Sequence, residues 1–160
     1  MAKKIPGLKY SLSLTVNGKK IRQEVASDLR LLDFLREELK LTGAKDVCSE
    51  GECGACTIIW DGKIVNSCLI LAVEAEGAQI LTVEGLGGTD SLNKLQQAFI
   101  DKHGVQCGYC IPGFVIAGYQ LLKDEALPST ETIRERLAGN ICRCTGYEKI
   151  IKAVESARQD

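Results

Sequence analysis

Eight cysteines at clustered spacings are the residues of this 160-residue chain whose type and position could do chemistry. Thiolates in proteins form disulfides, bind zinc or hold iron–sulfur clusters. The cysteines fall into two sets of four, so either set could complete a metal site. The first and second sets are, in chain order, Cys48, Cys53, Cys56 and Cys68, then Cys107, Cys110, Cys142 and Cys144.

Disulfides are the least favoured of these three kinds of site. They need an oxidising compartment, and the start of the chain, M-A-K-K-I-P-G, places charge where a signal peptide needs an apolar stretch. The chain also has no Asn-x-Ser/Thr glycosylation sequence. We therefore expect reduced cysteines in a chain that remains in the cytoplasm.

The first cysteine set has the spacing C-x4-C-x2-C, followed by a fourth cysteine 12 positions after the third. This is the plant-type [2Fe–2S] spacing, whereas zinc sites more often show two C-x2-C pairs. Gly51 and Gly54 lie inside the loop, and we expect them where a Cβ would clash or where φ must be positive. The pattern favours an iron–sulfur cluster over zinc.

The second set, C-x2-C and then C-x-C, is ambiguous by its spacing alone. Two cysteine pairs can bind zinc, although C-x-C is an unusual half-site. A C-x2-C redox pair normally lies in a βαβ unit, which the sequence around residue 107 lacks. Zinc and a second cluster both stay open here, and the first set favours a cluster because two neighbouring redox centres form a path for electrons.

Composition limits the partners that the chain could have. Hydrophobic residues make up 45% and charged residues 26% of the sequence, which is ordinary for a globular protein. Twenty Lys and Arg face 21 Asp and Glu, so no basic surface for nucleic acid or anionic lipid is expected. No apolar run reaches the 18 or so residues of a membrane span.

The elements of the N-terminal half form a β-rich pattern. Apolar residues alternate strictly over 8–17, which predicts a half-buried strand, and Asn17-Gly18 predicts a hairpin turn. The further predicted elements are a strand at Lys20–Ala26, a helix from Ser27 or Asp28 to Leu39, a hairpin of 56–60 and 63–70 around Asp61-Gly62, and a strand at Ala78–Glu84.

The C-terminal half has the periodicity of helices. We predict domains at 1–84 and 91–160, joined by a glycine-rich linker at 85–90. The fold class is α+β, with a helical second domain that has the pattern of a four-helix bundle. The predicted helices lie near 91–102, from Pro112 through Leu122, from Ser129 to a stop at Gly139-Asn140, and at 147–158.

Four motifs carry a resemblance to a known family. They are C-S-E-G-E-C-G-A-C at 48–56, N-S-C at 66–68, Q-C-G-Y-C-I-P-G at 106–113 and I-C-R-C-T-G-Y at 141–147. In this order they closely resemble the iron–sulfur subunits of the xanthine oxidase family, the molybdenum hydroxylases. The resemblance covers about residues 8–157. Tyr109 and Ile111 stand where the family often has Phe and Thr.

The resemblance implies a β-grasp ferredoxin domain followed by a four-helix bundle, each with one [2Fe–2S] cluster. It makes all eight cysteines iron ligands and places Gln106 and Cys144 against the molybdopterin of a large partner subunit. That partner oxidises the substrate, and a medium partner subunit holds FAD. Electrons would pass from molybdenum to the helical-domain cluster, then to the β-grasp cluster, then to FAD or an external acceptor.

The resemblance also favours an N-heterocyclic substrate of the purine or nicotinate type for the complex. Two other functions remain compatible with the cysteines themselves. A structural zinc module would mediate assembly without redox chemistry, and a free-standing ferredoxin would carry clusters as a stable monomer. The single histidine, His103, is expected to be a surface residue near a helix end.

Overall fold

The computed structural model describes residues 8–87 and 91–158. It is an α+β structure, with a five-stranded mixed sheet in the N-terminal half and four α-helices of eight or more residues in the C-terminal half. The first seven residues, the last two residues and the second half of the predicted linker (88–90) lie outside the described residues.

The first two strands form the predicted hairpin. β1 (Lys9–Val16) pairs antiparallel with β2 (Lys19–Ala26), and Lys9 lies opposite Ala26. Asn17 and Gly18 have φ values of 50° and 76°, as a tight hairpin turn with two left-handed residues requires. Alternate β1 side chains are buried, so one face of the hairpin contributes to the core.

Three shorter strands complete the sheet in the order β2-β1-β5-β3-β4. They are β3 (Thr57–Trp60), β4 (Lys63–Asn66) and β5 (Gln79–Leu81). β5 lies between β1, to which it is parallel, and β3, to which it is antiparallel. The strand β3 begins directly after Cys56 and lies inside the sheet. The end of the cysteine loop is therefore held in the middle of the N-terminal half.

The predicted helix from Ser27 or Asp28 to Leu39 is wrong at its start. A short α-helix, α1 (Leu31–Asp33), is followed by a π-helical segment at Phe34–Glu38. The Leu31 N–H donates to the Ile70 carbonyl at 2.7 Å, and Arg30 forms an isolated bridge with Leu71. This long-range pairing keeps the chain extended, so neither predicted cap is used.

Two predicted strands end earlier than their apolar patterns indicated. The strand at 63–70 stops at Asn66, and a 3₁₀-helix (Ser67–Leu69) follows because the Ser67 hydroxyl and N–H both donate to the Cys56 carbonyl. The strand at 78–84 stops at Leu81, where Thr82 bonds the Asn17 side chain instead. Further 3₁₀ turns cover Ala72–Ala75 and Val83–Gly85.

Four helices form the C-terminal half: α2 (Lys94–Asp101), α3 (Ile111–Asp124), α4 (Thr130–Leu137) and α5 (Glu148–Ser156). Ser129 caps α4 with its side chain at the predicted helix start, and Asn93 caps α2, which the sequence analysis did not predict. Pro112 lies in the first turn of α3 as predicted, although the helix begins one residue before it. α2 starts later than predicted. The helices contact one another in a ring, α2 with α3, α3 with α4, α4 with α5, and α5 with α2.

The buried apolar residues form two clusters, one in each half. The first joins the sheet to α1, with Leu12, Phe34 and Ile58 fully buried. The second lies among the four helices, around Phe114 and Ile150. α3 also packs against β3 and β4, so the halves touch along this helix. The domain boundaries at 84 and 91 remain predictions.

None of the helices in the described part of the chain is long and apolar enough to cross a bilayer.

Candidate metal centres

The four cysteines of the first set come together beside the sheet as two contacting pairs. The thiols of Cys48 and Cys53 contact each other in the loop before β3. The thiol of Cys56, at the end of this loop, contacts that of Cys68 on the 3₁₀-helix after β4. A loop and a hairpin therefore deliver the four sulfurs to one place.

The second set also forms two contacting pairs, at the exposed end of the helical half. The Sγ atoms of Cys107 and Cys144 are 3.5 Å apart. The thiols of Cys110, at the N-cap of α3, and Cys142, between α4 and α5, contact each other. Residues that are 32 and 37 positions apart in the sequence are thus brought together by the packing of α3 against α4.

The pairwise arrangement fits binuclear clusters better than zinc. A structural zinc ion needs four ligands around one point. A [2Fe–2S] cluster distributes four thiolates over two irons, so two pairs of sulfurs are what it requires.

Hydrogen bonds and burial make the sulfurs of the first set unequal. The Glu50 backbone N–H lies 3.5 Å from the Cys48 sulfur, and this contact, followed by that with Cys53, lowers the pKa of Cys48 to about 7. Burial raises the pKa of Cys56 to about 12. The Cys48 thiol therefore ionises more easily than the buried Cys56 thiol.

The second set shows the same contrast. Burial opposes ionisation of Cys142, but the Thr145 hydroxyl at 3.1 Å and the Thr145 N–H at 3.4 Å donate to its sulfur, and the pKa is lowered on balance. Burial, followed by the contact with Cys142, raises the pKa of Cys110 to about 12. Contact with the Cys107 thiol raises the pKa of Cys144.

Gly51 and Gly54 lie where the sequence predicted that only glycine would fit. Their φ values are 79° and 68°. A Cβ on Gly51 would collide with the Leu69 side chain, and one on Gly54 would collide with the Gly139 carbonyl oxygen. The cysteine loop therefore packs closely against the Leu69 side chain and the Gly139 backbone because it has no side chains at these two positions.

An ion-pair network holds the start of the first cysteine loop. The Arg30 guanidinium binds Asp33 at 2.7 Å, Asp46 at 2.9 Å and the Ser49 hydroxyl at 3.1 Å. These contacts raise the pKa of Arg30, with Asp33 the larger cause, and the bonds from Ser49 and then Arg30 lower the pKa of Asp46. The network ties the loop to the start of α1.

The two cysteine sets are joined by direct contacts between their loops. The Ile141 N–H, next to Cys142, donates to the Cys53 carbonyl at 3.0 Å. On the other side, the Tyr109 hydroxyl lies 3.4 Å from the Asp46 carbonyl oxygen. The hydrogen bond from Ile141 therefore connects Cys53 of the first set to the residue directly before Cys142 of the second set.

The predicted molybdopterin contacts lie at the surface. Gln106 and Cys144 are exposed, and the contact of Cys144 with Cys107 places both residues on the same face of the helical half. Cys107 is exposed there as well, whereas Cys56 and Cys68 are buried. This face is open to a partner in the described structure.

The aromatic residues near the cysteines have specific contacts. The Tyr147 hydroxyl accepts the Cys142 N–H at 3.1 Å, and its ring packs edge-on against Phe114 with centroids 6.2 Å apart. The Lys45 ammonium lies 5.7 Å from the centre of the Tyr109 ring.

His103 is exposed after the end of α2, and Trp60 is half-buried against the first core cluster.

Two residues that contribute to the site were not predicted as site residues. Thr145 donates to the Cys142 sulfur from three positions away, a pattern that the C-R-C-T motif could have indicated. Asn140 was interpreted only as a helix stop. Its side chain bonds Gly54, 86 positions away in the sequence, and no local pattern reveals such a partner.

Comparison with known domains gives two matches. Residues 14–82 match a 2Fe-2S iron-sulfur cluster binding domain, and residues 82–155 match a [2Fe-2S] binding domain. One cysteine set falls in each matched segment, so two [2Fe–2S]-binding domains follow one another in the chain.

Curated relatives extend the match over nearly the whole chain. The caffeine dehydrogenase subunit gamma of Pseudomonas sp. (strain CBB1) is 52% identical over 92% of this chain and 90% of its own length. The nicotinate dehydrogenase small FeS subunit of Eubacterium barkeri is 44% identical over 93% and 95%. The aldehyde oxidoreductase iron-sulfur-binding subunit of Escherichia coli (strain K12) is 45% identical over 91% and 70%.

Solved structures share the fold. A chain of quinoline 2-oxidoreductase from Pseudomonas putida 86 superposes with a TM-score of 0.90 at 45% identity, over 93% of this chain and 94% of that chain. The aldehyde oxidoreductase of Desulfovibrio desulfuricans gives 0.89 at 43% identity, over 92% of this chain but 17% of that one. The chain belongs to the small [2Fe–2S] iron–sulfur subunits of the xanthine oxidase family of molybdenum hydroxylases.

Proposed function

We propose that this chain carries electrons between the catalytic and flavin subunits of a cytoplasmic molybdenum hydroxylase whose substrate is an N-heterocycle. In this proposal the eight cysteines are the iron ligands, four for each cluster. When bound, each [2Fe–2S] cluster takes up and releases one electron at a time. The N-terminal half is then a β-grasp domain, and the ring of four helices is a four-helix bundle.

The observation that carries the proposal is the hydrogen bond from the Ile141 N–H to the Cys53 carbonyl at 3.0 Å. It links the two cysteine loops through one non-covalent contact. A structural zinc module would need no such connection between its two sites. A chain that transfers electrons needs a short, rigid connection between its two clusters. The backbones of the two cysteine loops, joined at Ile141 and Cys53, supply that connection.

The proposed direction of electron flow comes from the family resemblance and is supported by which sulfurs are exposed. Cys107 and Cys144 lie at the surface of the helical half, next to the exposed Gln106. We place the molybdopterin of the large subunit against this face, with contacts to Gln106 and Cys144. Electrons then enter at the helical half, cross at Ile141 and Cys53, and leave from the N-terminal half.

The exit lies at the other cysteine set. Cys48 and Cys53 are the half-exposed members of the first set, whereas Cys56 and Cys68 are buried under the sheet. The exposed edge around Glu52 is therefore the side from which electrons pass to the FAD of the medium subunit. An external acceptor would dock on the same edge.

The proposed substrate class rests on the relatives. Proteins named for caffeine, nicotinate and quinoline are N-heterocycle enzymes, and the relative with 52% identity is one of them. An aldehyde oxidoreductase subunit is also similar, at 45% identity. In this proposal the large subunit binds and selects the substrate, so the substrate class must be tested on the assembled complex.

The test uses the complex as it is isolated from its native host, through an affinity tag on this chain. Molybdenum, FAD and two larger chains should co-purify with it. Rapid anaerobic mixing with xanthine, nicotinate or caffeine should then bleach the cluster absorbance, and acetaldehyde should leave it unchanged. Reduction by the aldehyde alone would overturn the substrate class, and purification without molybdenum would overturn the proposed function.

A further inference from the structure

Asn140 is a buried amide that joins the two halves of the chain. It follows α4, only two positions before Cys142, and 5% of its surface is exposed. Its Nδ2 donates to the Gly54 carbonyl at 2.8 Å and lies 3.3 Å from the Thr57 hydroxyl. The nitrogen must face Gly54, because a carbonyl oxygen only accepts hydrogen bonds.

The neighbouring backbone makes this contact part of a pair. Asn140 and Ile141 are consecutive, and they donate to the consecutive carbonyls of Gly54 and Cys53. Two hydrogen bonds therefore connect the loop of one cysteine set to that of the other. Holding the Asn140 side chain fixes the peptide that follows it, and so fixes the Ile141 N–H opposite Cys53.

The fit around the Gly54 carbonyl is too close for any added side chain. A Cβ on Gly113 of α3 would collide with this oxygen and lie 2.9 Å from the Asn140 Nδ2. A Cβ on Gly54 would lie 2.5 Å from the same nitrogen. Two glycines and one amide thus bring α3, the end of α4 and the first cysteine loop into contact.

We propose that Asn140 is a positioning residue for electron transfer between the two clusters. It maintains the hydrogen bond between the Ile141 N–H and the Cys53 carbonyl, through which the two cysteine loops are connected. In the described residues, the hydrogen bonds of Asn140 go to Gly54, Thr57 and Leu137, and none goes to a cysteine sulfur. It acts through the backbone. The inference rests on the proposed function only for the presence of a cluster in each half.

The experiment uses the full chain with both clusters loaded and replaces Asn140 with Asp. Asp has the same shape, but it removes the donor and turns an oxygen toward the Gly54 carbonyl. Iron and sulfide content should stay at the wild-type level. Hydrogen exchange of the peptide containing the Ile141 N–H should become about tenfold faster, equivalent to ~1.4 kcal/mol.

Electron paramagnetic resonance gives the second measurement. The magnetic interaction between two fully reduced clusters falls with the cube of their separation, so the splitting that it causes should shrink in Asn140→Asp. The signal of each cluster alone, seen in partly reduced protein, should remain. A substitution that only weakened the fold would instead lower both cluster signals together.

Asn66→Asp is the matched control. The Asn66 Nδ2 also donates to a glycine carbonyl of the same loop, that of Gly51 at 2.7 Å, but both residues lie in the N-terminal half. The Ile141 exchange rate and the cluster–cluster splitting should therefore be unchanged in this variant. Equal effects of the two substitutions would overturn the proposal, because general loosening of the loop would then explain both.

Gly113→Ala provides an independent variant. Alanine favours the helix more than glycine does, so α3 itself should not weaken, while the added methyl pushes against the Gly54 carbonyl. Faster Ile141 exchange and a smaller splitting are expected again. Wild-type values in both variants, or failure of both to load two clusters, would overturn the positioning role. A complex that N-heterocycles cannot reduce would overturn the proposed substrate class, and a chain that purifies without molybdenum would overturn the proposed function. Neither outcome would change the result for Asn140.

Discussion

Hydrogen-bond donors give the individual sulfurs different environments. Cys142 receives both a hydroxyl and an N–H from Thr145, while Cys48 receives a backbone N–H. Donors to sulfur stabilise the reduced, more negative form of an iron–sulfur cluster and so raise its reduction potential. We therefore expect Thr145 to raise the reduction potential of the helical-half cluster.

Replacing Thr145 with Val should lower the reduction potential of that cluster by about 40 mV. This shift corresponds to one hydrogen bond worth ~1 kcal/mol in a one-electron couple. A redox titration followed by electron paramagnetic resonance measures it. Thr42→Val, at an exposed position of the N-terminal half, is the control, and both cluster potentials should stay constant in that variant.

Gln106→Ala should slow the reduction of the helical-half cluster by substrate without preventing cluster assembly. Gln106 is exposed and directly precedes Cys107, and losing one polar contact with the pterin costs on the order of 1 kcal/mol, so the effect should be moderate. Rapid mixing of the assembled complex with substrate measures the rate. Gln97→Ala, an exposed glutamine on α2, should leave the rate unchanged, and an unchanged rate in Gln106→Ala would remove this residue from the proposed path.

At the scale of elements, the first cysteine loop depends on glycine for its course. Gly51 and Gly62 have nearly the same φ, 79° and 80°, but a Cβ on Gly51 meets Leu69 while nothing lies within 4 Å of one on Gly62. Gly62→Ala should cost about 1 kcal/mol of unfolding free energy through backbone strain alone. Gly51→Ala should cost about 2–4 kcal/mol, because overpacking adds to the strain.

Denaturant unfolding of the cluster-loaded chain compares the two glycine variants. Iron content should also fall in Gly51→Ala, because its loop carries cysteines of the first set, and should stay normal in Gly62→Ala. Equal losses of stability would mean that strain, and not the contact with Leu69, decides which residue this loop accepts.

The elements that the sequence predicted well are those whose signals are local. The Asn17-Gly18 turn, the Ser129 cap and the proline in the first turn of α3 depend on residues a few positions apart. The start of α1 and the end of β4 were mispredicted because both depend on partners far along the chain: Ile70 for Leu31, and Cys56 for Ser67. The grouping of the cysteines followed from spacing and resemblance, whereas Asn140 did not, because its partner is 86 positions away.

At the scale of the whole molecule, each cluster should act as a cross-link for its own half. The sulfurs of each set come from two separate segments of the chain, so metal-binding free energy becomes folding free energy. Cys53→Ala should destabilise the N-terminal half, and Cys110→Ala the helical half, each by about 3 kcal/mol or more. Hydrogen exchange resolved by peptide separates the halves, and wild-type protection in both variants would contradict this.

The most direct measurement of the central claim is the metal and sulfide content of the chain isolated anaerobically from its native host, combined with electron paramagnetic resonance during stepwise reduction. Two binuclear clusters predict about four irons and four acid-labile sulfides per chain. They also predict two distinguishable signals that appear at different potentials. Two zinc ions per chain, with no sulfide and no signal on reduction, would contradict the account.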